Sequence, residues 1–265
     1  MSKRKSYSKE FQNRNKKNNQ KEAEFKPKPA YKTTLRNLKV LYEDNHIIAV
    51  NKRSGDIVQG DKTGDTPLSD IVKTFLKKKY DKPGEVFLGT THRIDRPVSG
   101  VVIFAKTSKA LARLNEMFQN KEIQKTYWAV VKNEPPQKQD TVQHYLLKNE
   151  RQNKSYAYSH EYKTAKLSSL TYKIIFRFQN YFLLEITPHT GRHHQIRTQL
   201  AQIGCPIKGD VKYGFNRPNI DGSIHLHARK IEFIHPVKKT PLVIEASPDK
   251  RDPLWKEATA VFNKP

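Results

Sequence analysis

An acidic residue flanked by arginines stands in a polar segment just ahead of an apolar run. Asp95 lies between Arg93 and Arg96, and Pro97 and Gly100 are typical of a tight loop. A carboxylate in this cationic setting stays ionised, which suits a nucleophile or a charge partner. The pattern also fits a structural aspartate that only neutralises its arginine neighbours, and composition alone favours that interpretation.

A second polar segment, residues 188–197, has the pattern of a strand end, a turn at Gly191 and a helix start. The amino end of a helix binds phosphate well, because its free N–H groups and its dipole point at the anion. In the predicted helix, His193 and Arg197 are four residues apart and share a face. Arg197 follows the core-facing Ile196, so it either projects into a site or lies at the surface.

Six of the ten histidines fall between His189 and His235, which raises the question of a metal site. His225 and His227 are two residues apart on a predicted strand and are able to ligate together. However, Cys205 is the single cysteine, and no helical histidine pair encloses a glutamate, so no recognised zinc pattern is complete. We therefore expect no metal, and a metal-dependent nuclease stays a secondary hypothesis.

The elements that must position these residues follow from hydrophobic periodicity. The pattern predicts more strands than helices, with frequent hairpins, which indicates an α+β fold with a mostly antiparallel sheet. Strands are predicted over residues 40–43, 46–50, 101–105, 126–131, 163–178, 181–187, 224–234 and 242–246. Helices are predicted over residues 67–80, 191–203, from an N-cap at Ser108 through Phe118, and from an N-cap at Asp252.

The overall composition narrows the class of protein. The chain has 265 residues, with 50 Lys and Arg against 26 Asp and Glu, a net charge of +24. Its longest apolar run, residues 101–105, is far shorter than the roughly 20 residues of a membrane-spanning helix. We expect a soluble protein, and the lone cysteine fits a reducing, cytoplasmic setting. The positive excess points to an anionic partner, with nucleic acid as the first candidate.

The charge is concentrated at the amino end. Residues 1–32 hold 11 Lys and Arg and 3 Asp and Glu, a net of +8, and the first 34 residues contain no Leu, Ile or Val. Such a segment buries too little apolar surface to offset its ordering entropy. The sequence predicts a disordered basic arm over residues 1–34 and one catalytic domain over residues 35–265. The arm either adds phosphate contacts or is a solvated tail without a role.

The segment His92–Arg96, followed by Ser99 and Gly100, closely resembles the central motif of the RluA family of pseudouridine synthases. Further motifs occur in that family's order over about residues 38–245. They are Tyr42–Asn45, Asn51–Gly55, Lys125–Tyr127, Thr190–Arg197, Gly204–Gly214, Leu226–Ala228 and His235-Pro236. Arg53, Pro97-Val98 and Thr198-Gln199 depart from the residues that are usual in the family.

The resemblance implies the conversion of uridine in RNA to pseudouridine, without cofactor or metal. By match to the motifs, Asp95 is the catalytic carboxylate, Arg197 pairs with it, and Tyr127 stacks on the uracil and is a candidate general base. Ile196 is a wall of the pocket. His92, Arg93, Arg96 and Lys208 are the further substrate-binding candidates, and general surface charge is the alternative for the basic ones.

The resemblance leaves the RNA open, with ribosomal RNA favoured and transfer RNA as the other substrate class. A monomer is expected. The alternative function is a non-catalytic RNA-binding ribosome-assembly factor, which the basic arm supports. The presence of Asp95, Tyr127 and Arg197 favours the enzyme.

Overall fold

The computed structural model describes residues 32–262, which form eleven strands and four α-helices. In chain order they are β1 (Val40–Glu43), β2 (Ile47–Lys52), α1 (Leu68–Lys79), β3 (Gly89–Thr90), β4 (Ser99–Ala105), α2 (Ser108–Gln119), β5 (Gln124–Val131), β6 (Gln139–Asn149), β7 (Lys154–Tyr158), β8 (Lys166–Arg177), β9 (Phe182–Pro188), α3 (Gln195–Gln202), β10 (Leu226–Ile234), β11 (Pro241–Glu245) and α4 (Pro253–Phe262). A 3-10 turn covers Val211–Tyr213.

All eleven described strands belong to one sheet, in the order β1-β2-β4-β10-β5-β9-β8-β6-β7, with β3 on β4 and β11 on β10. Every pair is antiparallel except β4 with β10, so the predicted α+β fold with a mostly antiparallel sheet is confirmed. The parallel junction is tight. Gly100 has φ 121°, and a β-carbon there would overlap the backbone of Ala228. This close approach brings the loop before β4 beside β10 and β5.

The centre of the sheet is buried on both faces. Val102 and Phe104 of β4 pack in one hydrophobic cluster with residues of α1 and α3, whereas Val101 and Ile103 pack in a second cluster with α2. Successive strand residues point to opposite faces, so a strand covered on both sides is a continuous apolar run. A third cluster forms around Trp128 and α4.

Two helices start with side-chain caps. Thr107 Oγ1 accepts a hydrogen bond from the Ala110 backbone N–H at 3.1 Å, so α2 is capped one residue before the predicted Ser108. Asp252 Oδ1 accepts from the Trp255 N–H at 3.1 Å, which confirms the predicted cap of α4.

Helix α3 begins at Gln195, four residues later than predicted. The side-chain oxygen of Gln195 accepts hydrogen bonds from the Thr190 hydroxyl and the Arg192 N–H. The preceding residues therefore curl around this amide as a loop, and His194 takes a left-handed conformation with φ 53°. His193 lies ahead of the helix, so the predicted helical face that included it is wrong.

Residues 1–31, which hold most of the predicted basic arm, lie outside the described residues. Thr33 is buried, and its N–H and hydroxyl donate to Asp56 at 3.0 and 2.6 Å. The packed part of the chain thus includes Thr33, two residues earlier than the predicted start of the domain. Within the described range, no helix combines the length and apolar character that crossing a bilayer requires.

Candidate active site

A cavity of about 880 Å³ opens between the loop before β4, the start of β5 and the chain from the end of β9 into α3. Its volume is typical of small-molecule sites, about 300–1,000 Å³. The cavity brings together residues that are distant in sequence, and its lining includes Asp95, Tyr127, Ile196 and Arg197.

Arg197 joins two carboxylates. Its Nε and Nη2 donate to Asp210 at 2.7 and 2.9 Å, and its Nη1 donates to Asp95 Oδ2 at 2.9 Å. Burial lowers the pKa of Arg197, but hydrogen bonds and charge attraction from Asp210 and Asp95 outweigh this effect and raise it. The Asp95 side chain is 29% exposed and that of Asp210 only 1%. Asp210 therefore fixes the guanidinium, and Asp95 stays accessible to a ligand.

His194 is the next neighbour of the Asp95 carboxylate. Its Nε2 lies 3.5 Å from Asp95 Oδ2, and its Nδ1 lies 2.9 Å from the Tyr213 hydroxyl. The ring stacks on His193 with a centroid distance of 3.7 Å. Burial lowers the pKa of His194 to about 3, so the ring is neutral at pH 7. The charge of Asp95 is therefore balanced by Arg197 and not by a histidine.

Tyr127 and Ile196 supply an aromatic and an aliphatic wall. Tyr127 lies on the face of β5 that packs against the same cluster as Ile196 and Leu226. Burial, and after it the negative charge of Asp95, raises the pKa of Tyr127. The side chain is a neutral phenol at pH 7, which suits stacking on a planar base.

His92 lines the cavity but is held by the scaffold. Its Nε2 accepts a hydrogen bond from the Ile103 N–H at 3.1 Å, and its ring packs on Phe118 at 4.9 Å. Burial and the nearby Lys125 lower the pKa of His92 to about 3, so this ring is neutral. These contacts give His92 a supporting place in the wall.

The basic residues predicted to bind substrate do not all meet at the cavity. Arg93 is exposed and lines it. Arg96 points elsewhere and pairs with Asp65. Lys208 Nζ donates to Asn219 at 2.8 Å and also lies outside the lining. The structure therefore groups only Arg93 of these three with Asp95.

A buried lysine organises the loop that carries Asp95. Lys52 Nζ donates to the carbonyl oxygens of Arg96 and Val98 at 3.1 and 2.7 Å. It also donates to the carbonyl oxygen of Arg53, outside the loop, at 3.0 Å. Ser54 Oγ donates to the Pro97 carbonyl at 3.1 Å. Burial lowers the pKa of Lys52 to about 7. The loop carbonyls are thus paired although Pro97-Val98 departs from the usual family residues.

The late histidines are engaged in hydrogen bonds and charged contacts. Asn219 donates to His225 Nδ1 at 2.9 Å, and His225 Nε2 lies 3.1 Å from Asp252. His227 contacts the Ser99 hydroxyl at 2.8 Å and a backbone carbonyl at 3.0 Å. Three of the four ring nitrogens form hydrogen bonds, and His225 Nε2 contacts the Asp252 carboxylate without one. Residues 32–262 contain no group of three or more metal-ligating side chains suited to an ion. The pair His225 and His227 is therefore not arranged as a ligand set.

Comparison with known proteins identifies the family. The family model described as RNA pseudouridylate synthase matches residues 46–202, more than half of the chain. The chain belongs to the RNA pseudouridylate synthase family. The resemblance to the RluA family is confirmed, and the matched range contains Asp95, Tyr127 and Arg197.

Two relatives illustrate the similarity. The chain is 35% identical over 226 residues to "Ribosomal large subunit pseudouridine synthase C" of Buchnera aphidicola subsp. Acyrthosiphon pisum, which covers 83% of this chain and 69% of the relative. It is 31% identical over 244 residues to "tRNA pseudouridine synthase C" of Vibrio cholerae, which covers 85% of this chain and 96% of the relative.

A solved structure shares the fold. The human protein "RNA Pseudouridylate Synthase Domain Containing 4" superposes with a TM-score of 0.69 at 21% identity, over 84% of this chain and 92% of that chain. With the family match, the chain is an isomerase that converts uridine in RNA to pseudouridine. The predicted enzyme is favoured over the non-catalytic alternative.

Sequence reasoning gave no role to two residues that organise the site. Asp210 was noted only as part of the motif Gly204–Gly214, although an acidic residue in a basic chain is a candidate partner for Arg197. Lys52 is the last residue of β2, two positions after the apolar run that ends at Val50, and a lysine that continues a buried strand is the signal for a buried cation.

Proposed function

We propose that the cavity binds a uridine of structured RNA and that Asp95 is the catalytic carboxylate of its isomerisation. The carrying observation is the pairing of Asp95 with Arg197 at 2.9 Å inside the cavity, with part of the carboxylate exposed. Among the described residues that line the cavity, Asp95 is the only carboxylate. The hydrogen bond from Arg197 orients this carboxylate for attack and places a positive charge beside it.

In this reaction the C1′–N1 bond breaks, the uracil turns, and a C1′–C5 bond forms. C5 loses its proton and N1 gains one, so atoms and charge balance without a redox partner. Asp95 either attacks the sugar or base, or removes a sugar proton during glycosidic cleavage. The reaction needs no cofactor or metal, which we propose also for this enzyme.

The target uridine must leave its stack to reach Asp95, as base-modifying enzymes generally require. Tyr127 offers an aromatic face for the extruded uracil, and Ile196 adds an apolar contact in the same cavity. Stacking of this kind contributes about 1–3 kcal/mol per base. The phenol of Tyr127 is also our candidate general base for proton transfer at C5.

The charge of the lining fits an RNA backbone. Five Lys and Arg side chains line the cavity against the single carboxylate of Asp95: Arg93, Lys121, Lys125, Arg192 and Arg197. Arg197 is already paired, so four positive charges face the space where the phosphates of an extruded nucleotide lie.

We favour ribosomal RNA as the substrate and keep transfer RNA as the other class. The Buchnera relative, named for the ribosomal large subunit, is the more similar of the two described by identity, at 35% against 31%. The tRNA-named relative is covered over more of its length. A monomer acting in the cytoplasm is part of the proposal.

The catalytic assignment is tested with RNA tritiated at C5, because isomerisation releases that hydrogen to water. Asp95→Asn should bind RNA with unchanged affinity and lose at least about 10³-fold in tritium release. Asp140→Asn, an exposed aspartate on β6, is the matched control and should behave as wild type. Turnover by the Asp95→Asn protein at the wild-type rate would refute the assignment.

The RNA is identified by mapping pseudouridine across the transcriptome in wild-type and deletion cells. A site that disappears on deletion, and returns with wild-type protein but not with Asp95→Asn, names the substrate. Loss of a site only in transfer RNA would overturn the preference for ribosomal RNA.

A further inference from the structure

Lys125 belongs to the motif Lys125–Tyr127, but the isomerisation chemistry gives it no role. It lies on β5 two residues before Tyr127, so both side chains project from the same face of the strand. Both line the cavity. Lys125 is therefore inside the site and beside the ring proposed to stack on uracil.

The ammonium group of Lys125 has no anionic or hydrogen-bonding partner in the part of the chain that the structure describes. Its Nζ forms no hydrogen bond or ion pair there, and it lies 5.9 Å from the centroid of the Phe118 ring. The positive charge of Lys125 adds to the effect of burial in lowering the pKa of the neighbouring His92, so that ring stays neutral. A cation withdrawn from water without a counterion gains stability when an anion binds.

Comparison with the other described lysines of lowered pKa supports this interpretation. Burial lowers the pKa of Lys52, Lys125 and Lys208. Lys52 donates to three backbone carbonyls and Lys208 donates to Asn219. Lys125 is also disfavoured by burial but forms no such hydrogen bond, which is typical of a group that binds a ligand.

The ammonium group of Lys125 lies close to the loop before α3. A β-carbon added to Gly191 would be in ordinary contact with Lys125 Nζ at 3.8 Å, and both residues line the cavity. Arg192 follows Gly191, is exposed and also lines the cavity. The two cations thus flank one open space.

We propose that Lys125 Nζ binds the backbone phosphate next to the extruded uridine, in the cavity beside Gly191. Alternate residues of a strand lie about 7 Å apart, so a nucleotide whose base stacks on Tyr127 places its own phosphate within reach of Lys125. The proposal rests on the proposed function, because it assumes that the cavity holds an extruded uridine. Lys125 is a substrate-binding residue in this account and takes no part in bond breaking.

The test measures RNA affinity as a function of salt in the Asp95→Asn background, where no turnover occurs. Lys125→Met removes the charge and keeps an aliphatic chain on Phe118, and Lys125→Gln is a second neutral variant in case the first misfolds. Each should weaken binding about tenfold and reduce the slope of log affinity against log salt by about 0.7–0.9, the value of one phosphate contact. Lys125→Arg should restore most of the affinity and the slope.

Lys132→Met is the matched control, because Lys132 is exposed just beyond the other end of β5 and outside the cavity. It should leave the affinity and the slope unchanged. With Asp95 intact, Lys125→Met should raise KM about tenfold and leave kcat within about twofold. Inorganic phosphate should compete with RNA less well against Lys125→Met than against wild type if the same anion site is used.

A folded Lys125→Met protein with an unchanged salt slope would overturn the proposal, as would a fall in kcat with KM unchanged. Failure of the proposed function has a different signature. If the Asp95→Asn protein turns over RNA, the catalytic assignment fails, whereas the salt slope of Lys125→Met still reports on the phosphate contact.

Discussion

At the scale of single residues, Arg197 pairs with two carboxylates that differ in solvent exposure, and the geometry of the site depends on this difference. Asp210 is buried and accepts two hydrogen bonds from Arg197, whereas Asp95 accepts one and remains partly open. The bidentate pair fixes the plane of the guanidinium, so the third N–H has a defined direction. Asp95 is thereby oriented without being covered, which a carboxylate that meets substrate requires.

Tyr127→Phe separates the two roles proposed for Tyr127. The phenyl ring keeps the stacking surface, so RNA affinity should stay within about twofold of wild type. Loss of the hydroxyl should lower turnover by about 10²-fold or more if it takes part in proton transfer at C5. The charge of Asp95 contributes to the raised pKa of Tyr127, so this contribution disappears in any intermediate in which the carboxylate is neutralised.

Single-turnover tritium release at saturating RNA checks this prediction, with Tyr145→Phe as the control on β6, outside the cavity. Wild-type release by the Tyr127→Phe protein would restrict Tyr127 to stacking. A parallel loss of RNA affinity would show instead that the hydroxyl binds substrate.

At the scale of elements, the loop before β4 is held by the end of β2 through Lys52. Its ammonium has three donors and meets three backbone carbonyls, two of which belong to the loop. Lys52→Met should leave a buried carbonyl without its donor, which costs about 1–3 kcal/mol in the free energy of unfolding. Because Asp95 lies in this loop, we expect kcat to fall as well, whereas RNA affinity should change little.

Urea unfolding and turnover at saturating RNA measure the two effects. Lys39→Met, an exposed lysine just before β1, serves as the control and should change neither. If Lys52→Met lowers stability but leaves kcat at the wild-type value, Lys52 supports the sheet and not the catalytic loop.

The sequence predicts the buried strands of this fold better than the two strands at one end of the sheet. Strands such as β2 and β4 are continuous apolar runs because both faces are buried, and periodicity reveals them. The periodicity does not predict β6 and β7, the last two strands at one end of the sheet. Nearly half of the side chains of β6 are exposed, and β7 is only five residues long, so neither strand is a continuous apolar run. The start of α3 was misplaced, because the loop before it is shaped by the Gln195 side chain, which periodicity does not register.

The residues of the candidate site also differ in how far the sequence predicts them. Asp95, Tyr127 and Arg197 stand in ordered motifs, so resemblance identifies them without a structure. The partners Asp210 and Lys52 depend on which chain segments the topology brings together, and the spacing of residues along the chain does not encode that. The parallel junction of β4 and β10 is one such contact, since it joins segments more than 120 residues apart.

At the scale of the whole molecule, buried neutral histidines make stability depend on pH. Burial lowers the pKa of His92 and His194 to about 3 and of His227 to about 4, from an ordinary value of 6.5. Between pH 6.5 and about 4 the unfolded chain binds protons that the folded chain does not. The free energy of unfolding should therefore fall as the pH falls through this window, by up to about 1.4 kcal/mol per pH unit for each histidine.

His227→Gln tests one part of this dependence, since His227 is fully buried and Gln retains hydrogen-bonding groups. Urea unfolding between pH 5 and 6.5 should show about one proton fewer taken up on unfolding. His160→Gln, an exposed histidine, is the control and should keep the wild-type slope. An unchanged slope in His227→Gln would show that His227 protonates in the folded protein.

The net charge of +24 has two parts with different expected effects on RNA binding. Residues 1–31 hold 10 Lys and Arg against 3 Asp and Glu, a net of +7, and the remainder surrounds the domain that carries Asp95. Lys32, the first described residue, pairs with Asp65, which also pairs with Arg96 in the loop that carries Asp95. The arm is thus attached beside the site, where added positive charge raises the local concentration of RNA.

Deleting residues 1–31 should therefore weaken RNA binding about tenfold at moderate salt and lower the salt slope by about 2, equivalent to two or three phosphate contacts. Lys32 and Thr33 stay in the variant because Thr33 packs on Asp56. Turnover at saturating RNA should be unchanged, since the arm contributes attraction and not chemistry. A shuffled arm of the same composition should restore affinity, because counterion release does not depend on residue order. Lower turnover at saturating RNA, or no rescue by the shuffled arm, would show that the arm makes specific contacts at the site.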